Sequence, residues 1–68
     1  MNEDNLNMEI RKFLKKVGIT SQRIIDHQIH DANKNGSIKE GDEIELEMTL
    51  CIKNFKSKST IEGKIKFE

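Results

Sequence analysis

The first part of the chain places apolar residues at spacings of three and four, the period of an α-helix. This spacing predicts an amphipathic helix over about residues 5–17, with its apolar stripe formed by Leu6, Ile10, Phe13, Leu14 and Val17. Gly18 follows the stripe directly. Because glycine adopts positive φ at little cost, we expect Gly18 to end this helix.

A second helix is predicted over about residues 21–33. Thr20 or Ser21 can cap its start, and its buried side is expected to comprise Ile24, Ile25, Gln28, Ile29 and Ala32. The run Lys34-Asn35-Gly36 predicts its end, with Gly36 as the left-handed residue.

The C-terminal half changes its apolar period from 3.6 to two. Strict alternation predicts one strand over about residues 43–53 and another over about 58–67, with apolar positions at Ile44, Leu46, Met48, Leu50, Ile52, Ile61, Ile65 and Phe67. A hairpin register in which facing residue numbers sum to 111 pairs Glu47 with Lys64. That register, with a loop at residues 54–57, is the one we expect, because it favours oppositely charged cross-strand pairs.

These elements predict an α+β fold: one domain over residues 1–68, with two helices followed by an antiparallel hairpin. A hairpin alone is marginally stable and has two open edges. We therefore expect a homo-oligomer, most simply a dimer that extends the sheet across a twofold axis. Association would also compensate for the small core of a 68-residue chain.

Composition narrows the function classes. Twelve basic residues balance twelve acidic ones, so no net field attracts nucleic acid or anionic membranes. There is no apolar run of membrane-spanning length and no signal-like N-terminus, so we expect a cytoplasmic protein without membrane partners. Cys51 is the only cysteine, which excludes an intrachain disulfide and a multi-cysteine zinc site.

Residues 31–42 resemble an EF-hand calcium loop. Asp31, Asn33, Asn35 and Asp42 stand at ligand positions 1, 3, 5 and 12, and Gly36 stands at position 6. However, Asp replaces the bidentate Glu, two ligands are neutral, and a strand follows where an exit helix belongs. A polar helix end, a glycine cap and a loop would give the same residues, and we favour that interpretation.

Residues 11–31 resemble a DNA-binding helix-turn-helix with Gly18 in the turn. The candidate contact residues are Arg11, Lys12, Lys15, Lys16, Gln22 and Arg23. Leu14 and His27 occupy positions where a small and an apolar residue are expected, and Asp26 and Asp31 would oppose phosphate contact. We expect no nucleic-acid partner, and we keep this module as the alternative function, with calcium binding third.

The remaining reactive side chains do not predict catalysis. His27 and His30 have i,i+4 acidic neighbours in Asp31 and Asp26, which predicts weak side-chain pairs on one helix. Cys51 has no Gly-rich turn or orienting group around it. We expect no enzyme activity and no cofactor.

Several segments together resemble a small proteobacterial family of unknown function whose members have nearly this length. They are residues 1–4 (MNED), residues 11–23 (RKFLKKVGITSQR), Gly36, residues 48–50 (MTL) and residues 63–65 (GKI). The resemblance implies no activity, cofactor or catalytic residue. The function expected from the sequence is therefore protein association, with a second copy of the chain or with another protein.

Overall fold

A computed structural model describes all 68 residues, in the order helix, strand, strand. The helix α1 spans Glu3–Lys34, the strand β1 spans Glu43–Ile52 and the strand β2 spans Ser57–Lys66. A 3₁₀ turn at Lys53–Phe55 connects the strands. The chain divides into two compact units, Met1–Ser37 and Ile38–Glu68. The helix–hairpin, α+β character predicted from the sequence is confirmed.

The prediction of two helices is wrong, because α1 runs without interruption through the predicted break. Gly18 lies inside the helix and does not adopt positive φ. A single interior glycine costs about 1 kcal/mol relative to alanine, and there is no proline to remove a backbone hydrogen bond. The cost at Gly18 is therefore too small to end a helix whose apolar period continues on both sides.

Both ends of α1 are capped by the residues around them. The Asn2 side chain accepts a hydrogen bond from the Asn5 N–H at 3.0 Å, which satisfies one free donor of the first turn. At the other end Ser37 N–H donates to the Ala32 carbonyl at 2.8 Å, and Gly36 has φ of 78°. This is the Schellman arrangement. The predicted stop at Lys34-Asn35-Gly36 is confirmed.

The hairpin has the predicted strands and faces but a different register. Facing residue numbers sum to 109, so Leu46 and not Met48 lies opposite Gly63. Glu45 faces Lys64, whereas Glu47 faces Glu62. The two-residue shift keeps every side chain on its predicted face, and exposed charge pairs are too weak to prevent it.

The connection between the strands accounts for the observed register. Ile52 and Ser57 form the last facing pair, so the loop is residues 53–56, one residue earlier than predicted. Lys56 closes it in the left-handed conformation, with φ of 54°. Four-residue hairpin loops are commonly built on such compact turns.

The beginning of the hairpin is held by its own hydrogen bonds. Phe67 N–H donates to the Asp42 carbonyl at 2.9 Å, and Gly41 N–H donates to the Phe67 carbonyl at 2.6 Å. Gly41 has φ of 92°, a conformation that favours glycine. The structure contains no helix with the length and apolar character needed to cross a membrane.

Candidate functional site

The continuity of α1 joins the two predicted apolar surfaces into one. At 100° per residue, these side chains lie within an arc of about 160°. We call this surface the α1 stripe, and it comprises Leu6, Ile10, Phe13, Leu14, Val17, Ile24, Ile25 and Ile29. From Leu6 to Ile29 it extends about 35 Å along the helix axis.

The α1 stripe is open to solvent over most of its length. Phe13 is 57% exposed, Leu14 49% and Ile24 56%, whereas Val17, Ile25 and Ile29 are half-buried. No side chain in the chain is fully buried. An exposed contiguous apolar surface of this kind marks an interaction site more often than a solvated face.

Two polar residues, Gln28 and Ser21, lie close to the midline of the stripe, which is the line along the helix that passes through Ile10. Ile10 and Gln28 are 18 residues apart, which is about five whole turns, so both point in the same direction. Ser21 lies within about 20° of the same line. Any partner that covers this line must therefore accommodate the Gln28 amide and the Ser21 hydroxyl group.

Charged residues flank the stripe near its N-terminal end. Arg11 and Glu9 lie about 100° to either side of the midline through Ile10. Glu9 is also 3.8 Å from the Lys12 ammonium, but both side chains are more than 60% exposed, so this contact restrains Glu9 only weakly.

The candidate nucleic-acid residues all lie on the one continuous helix. Arg11, Lys12, Lys15, Lys16, Gln22 and Arg23 fall within an arc of about 140° that excludes the midline of the stripe. Asp26 lies within the same arc. The helix-turn-helix geometry is absent, because residues 11–31 contain no turn.

The two histidines form the predicted i,i+4 pairs. His27 Nε2 lies 3.3 Å from Asp31 Oδ2, and His30 Nδ1 lies 3.4 Å from Asp26 Oδ1. All four side chains are more than half exposed. Nowhere does the chain bring together three or more His, Cys, Asp or Glu groups that could hold a metal ion.

The candidate calcium ligands have local roles in the backbone. Asp31 and Asn33 belong to the last turns of α1. The Asn35 side chain accepts hydrogen bonds from the N–H and hydroxyl of Ser37. In the second unit, Asp42 Oδ2 accepts a hydrogen bond from the Lys39 N–H at 2.9 Å.

The polar face of the hairpin carries the remaining reactive groups. Cys51 is exposed and faces Lys58 across the strands. Glu47 faces Glu62, and Lys64 Nζ reaches Glu43 Oε1 at 3.5 Å. An open depression on the hairpin is lined by Glu45, Leu46, Glu47, Glu62, Gly63 and Lys64.

Comparison with known proteins identifies the family. The model of DUF6494, a family of unknown function, matches residues 1–68, the full length of the chain. The chain belongs to this family. The predicted resemblance to a family of unknown function is thereby confirmed, and membership of DUF6494 assigns no activity. No curated protein and no solved structure shows significant similarity to the chain.

Sequence reasoning missed two features of the site. It divided the α1 stripe at Gly18, and it did not identify Glu9 and Arg11 as its flanks. The stripe's continuity has a signal in the sequence: Phe13 and Ile24 are 11 residues apart, as are Leu14 and Ile25, so each pair has nearly the same helical direction.

Proposed function

We propose that this DUF6494 chain is a non-enzymatic protein that acts through association, and that the α1 stripe binds a second copy of the same chain. The exposure of five large apolar side chains on one face of a 32-residue helix carries this proposal. They are Leu6, Ile10, Phe13, Leu14 and Ile24, each between 42% and 57% exposed.

The apolar burial that the stripe offers is of the same order as the cost of association. Completing the burial of a half-exposed Leu, Ile or Phe side chain contributes about 1 kcal/mol. Five such side chains on each of two helices therefore contribute about 10 kcal/mol. Association costs about 4–15 kcal/mol in lost translational and rotational freedom. The two magnitudes are similar, so the dimer depends on each stripe residue.

A helical partner suits the stripe better than an extended one. The stripe is about 35 Å long and lies along one side of a helix, which matches the apolar face of another α-helix. Because the stripe repeats every 11 residues, it stays on one side of a nearly straight helix, with at most a slight right-handed supercoil. A second α1 has the same length and the same repeat.

The hairpin offers a rival interface, because both edges of its two-stranded sheet carry unpaired backbone groups. Sheet extension across a twofold axis would use those edges and leave the α1 stripe uncovered. The stripe is the interface we favour, since apolar burial contributes more to stable association than a short sheet edge in water.

Sedimentation equilibrium of the chain at tens of micromolar tests the proposal. We expect the mass of a dimer. A mass of one chain across the accessible concentration range would contradict self-association and leave a different protein as the partner. A dimer that survives Phe13→Asp would contradict the α1 stripe as the interface and point to the hairpin instead.

A further inference from the structure

We infer that the two α1 helices pair in parallel and in register, so that Ser21 and Gln28 of one chain meet the same residues of the second chain. This inference rests on the proposed function and specifies the orientation of the partner at that surface. It follows from the placement of polar groups along the α1 stripe.

The midline polar residues require polar partners. A buried amide or hydroxyl that loses water without gaining a hydrogen bond costs about 1–3 kcal/mol. In a parallel, in-register pair each midline residue faces its own counterpart. The two Gln28 amides can then hydrogen-bond to each other, since each carries a donor and an acceptor, and the two Ser21 hydroxyls can do the same.

An antiparallel pair cannot satisfy these groups and cover the stripe together. Ser21 and Gln28 face one another only if the pairing is centred midway between them. That centre places Leu6 and Ile10 opposite positions beyond the end of α1 at Lys34. An antiparallel pair that covers the whole stripe is centred between Val17 and Gly18, and it instead places Ser21 opposite Leu14 and Gln28 opposite Asn7. The first arrangement leaves Leu6 and Ile10 uncovered, and the second leaves Ser21 without a polar partner on the other helix.

The flanking charges favour the same orientation. In a parallel twofold pair, the side of one helix that carries Arg11 faces the side of the other helix that carries Glu9. Arg11 of one chain then lies beside Glu9 of the second chain, about 3 Å apart along the axis. The twofold axis creates this contact twice. In an antiparallel pair each flank faces itself, so Arg11 does not meet Glu9.

A single polar residue within an apolar seam is an established way to fix the register of paired helices. Gln28 and Ser21 serve that purpose here. They lower the affinity relative to an all-apolar stripe, and they penalise every register in which they lie opposite Leu or Ile.

Oxidative cross-linking tests the orientation. In a Cys51→Ser background, Ile10→Cys and Ile24→Cys are made separately, so that Ser21 and Gln28 are kept, and are then oxidised alone and as an equimolar mixture. The parallel arrangement predicts that each variant cross-links with itself. It also predicts that the mixture contains no disulfide between the two variants, because positions 10 and 24 are about 21 Å apart along the axis.

The opposite pattern would overturn the inference: no self-linked product and a disulfide between the two variants mean an antiparallel pair. Ile19→Cys, which lies off the stripe, is the control and should not cross-link. Its cross-linking as fast as Ile10→Cys would also overturn the inference. Sedimentation of the Cys51→Ser chain is run in parallel. A monomer there contradicts the proposed function, whereas a dimer with the mixed disulfide contradicts only the orientation.

Discussion

Ile19 and Ile24 project from α1 in directions about 140° apart, although their exposed fractions are nearly equal, 52% and 56%. Ile24 belongs to the α1 stripe and Ile19 lies off it. The helix therefore carries two isoleucines that match in type and exposure and differ in the face they occupy. Substituting each isoleucine in turn therefore separates the effect of changing the stripe from the effect of removing any exposed apolar side chain of α1.

Gly18→Ala is expected to stabilise the chain by about 1 kcal/mol. Gly18 is helical, its conformation suits an L-residue, and a methyl group there meets no atom within 4 Å. Alanine removes the entropic cost of glycine in a helix interior. Urea unfolding followed by circular dichroism at 222 nm measures the change.

The matched control is Gly36→Ala, which changes the same residue type at the end of the same helix. Gly36 has φ of 78°, so alanine there should destabilise the chain by about 1 kcal/mol. Destabilisation by both substitutions would indicate a helix break at Gly18 and contradict the single-helix fold.

Lys56→Gly is expected to stabilise the hairpin by about 1 kcal/mol. Lys56 is the one non-glycine residue with positive φ, a conformation that costs an L-residue about 1–2 kcal/mol. Lys53→Gly is the control, because this substitution removes a charge from the same loop without relieving strain. Thermal unfolding of both variants gives the comparison, and equal melting temperatures would argue against the observed turn.

Glu9→Arg is expected to weaken self-association several-fold, because it places like charges beside Arg11 of the second chain. The double variant Glu9→Arg with Arg11→Glu should recover most of the loss. Asp26→Arg makes the same charge change on the side of α1 opposite the stripe, and it should have little effect. Dissociation constants at low salt provide the readout; failure of the double variant to recover affinity would contradict the parallel pairing.

The hairpin shows that cross-strand charge pairs alone do not determine the register of two strands. Alternation located both strands and assigned Ile44, Leu46 and Ile61 to the same face as observed. Only the pairing was wrong, by two residues. A two-residue shift leaves the faces unchanged, so the conformation of the loop determines the register. The sequence around Lys56 does not indicate that this lysine adopts the left-handed conformation.

The helix illustrates the opposite error, in which a local signal was given too much weight. Gly18 follows the last residue of an apolar stripe, as a helix-ending glycine does, whereas Gly36 follows the polar run Asn33-Lys34-Asn35. Gly36 ends α1 because its neighbours complete the Schellman hydrogen bonds. Gly18 does not, because the apolar period continues in phase from Leu14 to Ile25. The phase across a glycine, rather than the glycine itself, distinguishes the two cases.

The site followed the same pattern. Every residue of the α1 stripe could be predicted from its spacing, but the sequence reading assigned the residues to two separate helices. The candidate ligand and nucleic-acid residues came from motif resemblance alone. The structure gives them exposed, local roles, such as the contact of Asp31 with His27.

The most direct test of the central claim compares the dimer dissociation constants of Ile24→Glu and Ile19→Glu by sedimentation equilibrium, with helix content checked by circular dichroism. Both substitutions place a helix-compatible carboxylate on the same helix. Since Ile24 lies on the stripe, we expect Ile24→Glu to weaken the dimer at least ten-fold, while Ile19→Glu stays close to the unsubstituted chain. Equal effects of the two substitutions, or none from Ile24→Glu, would contradict association through the α1 stripe.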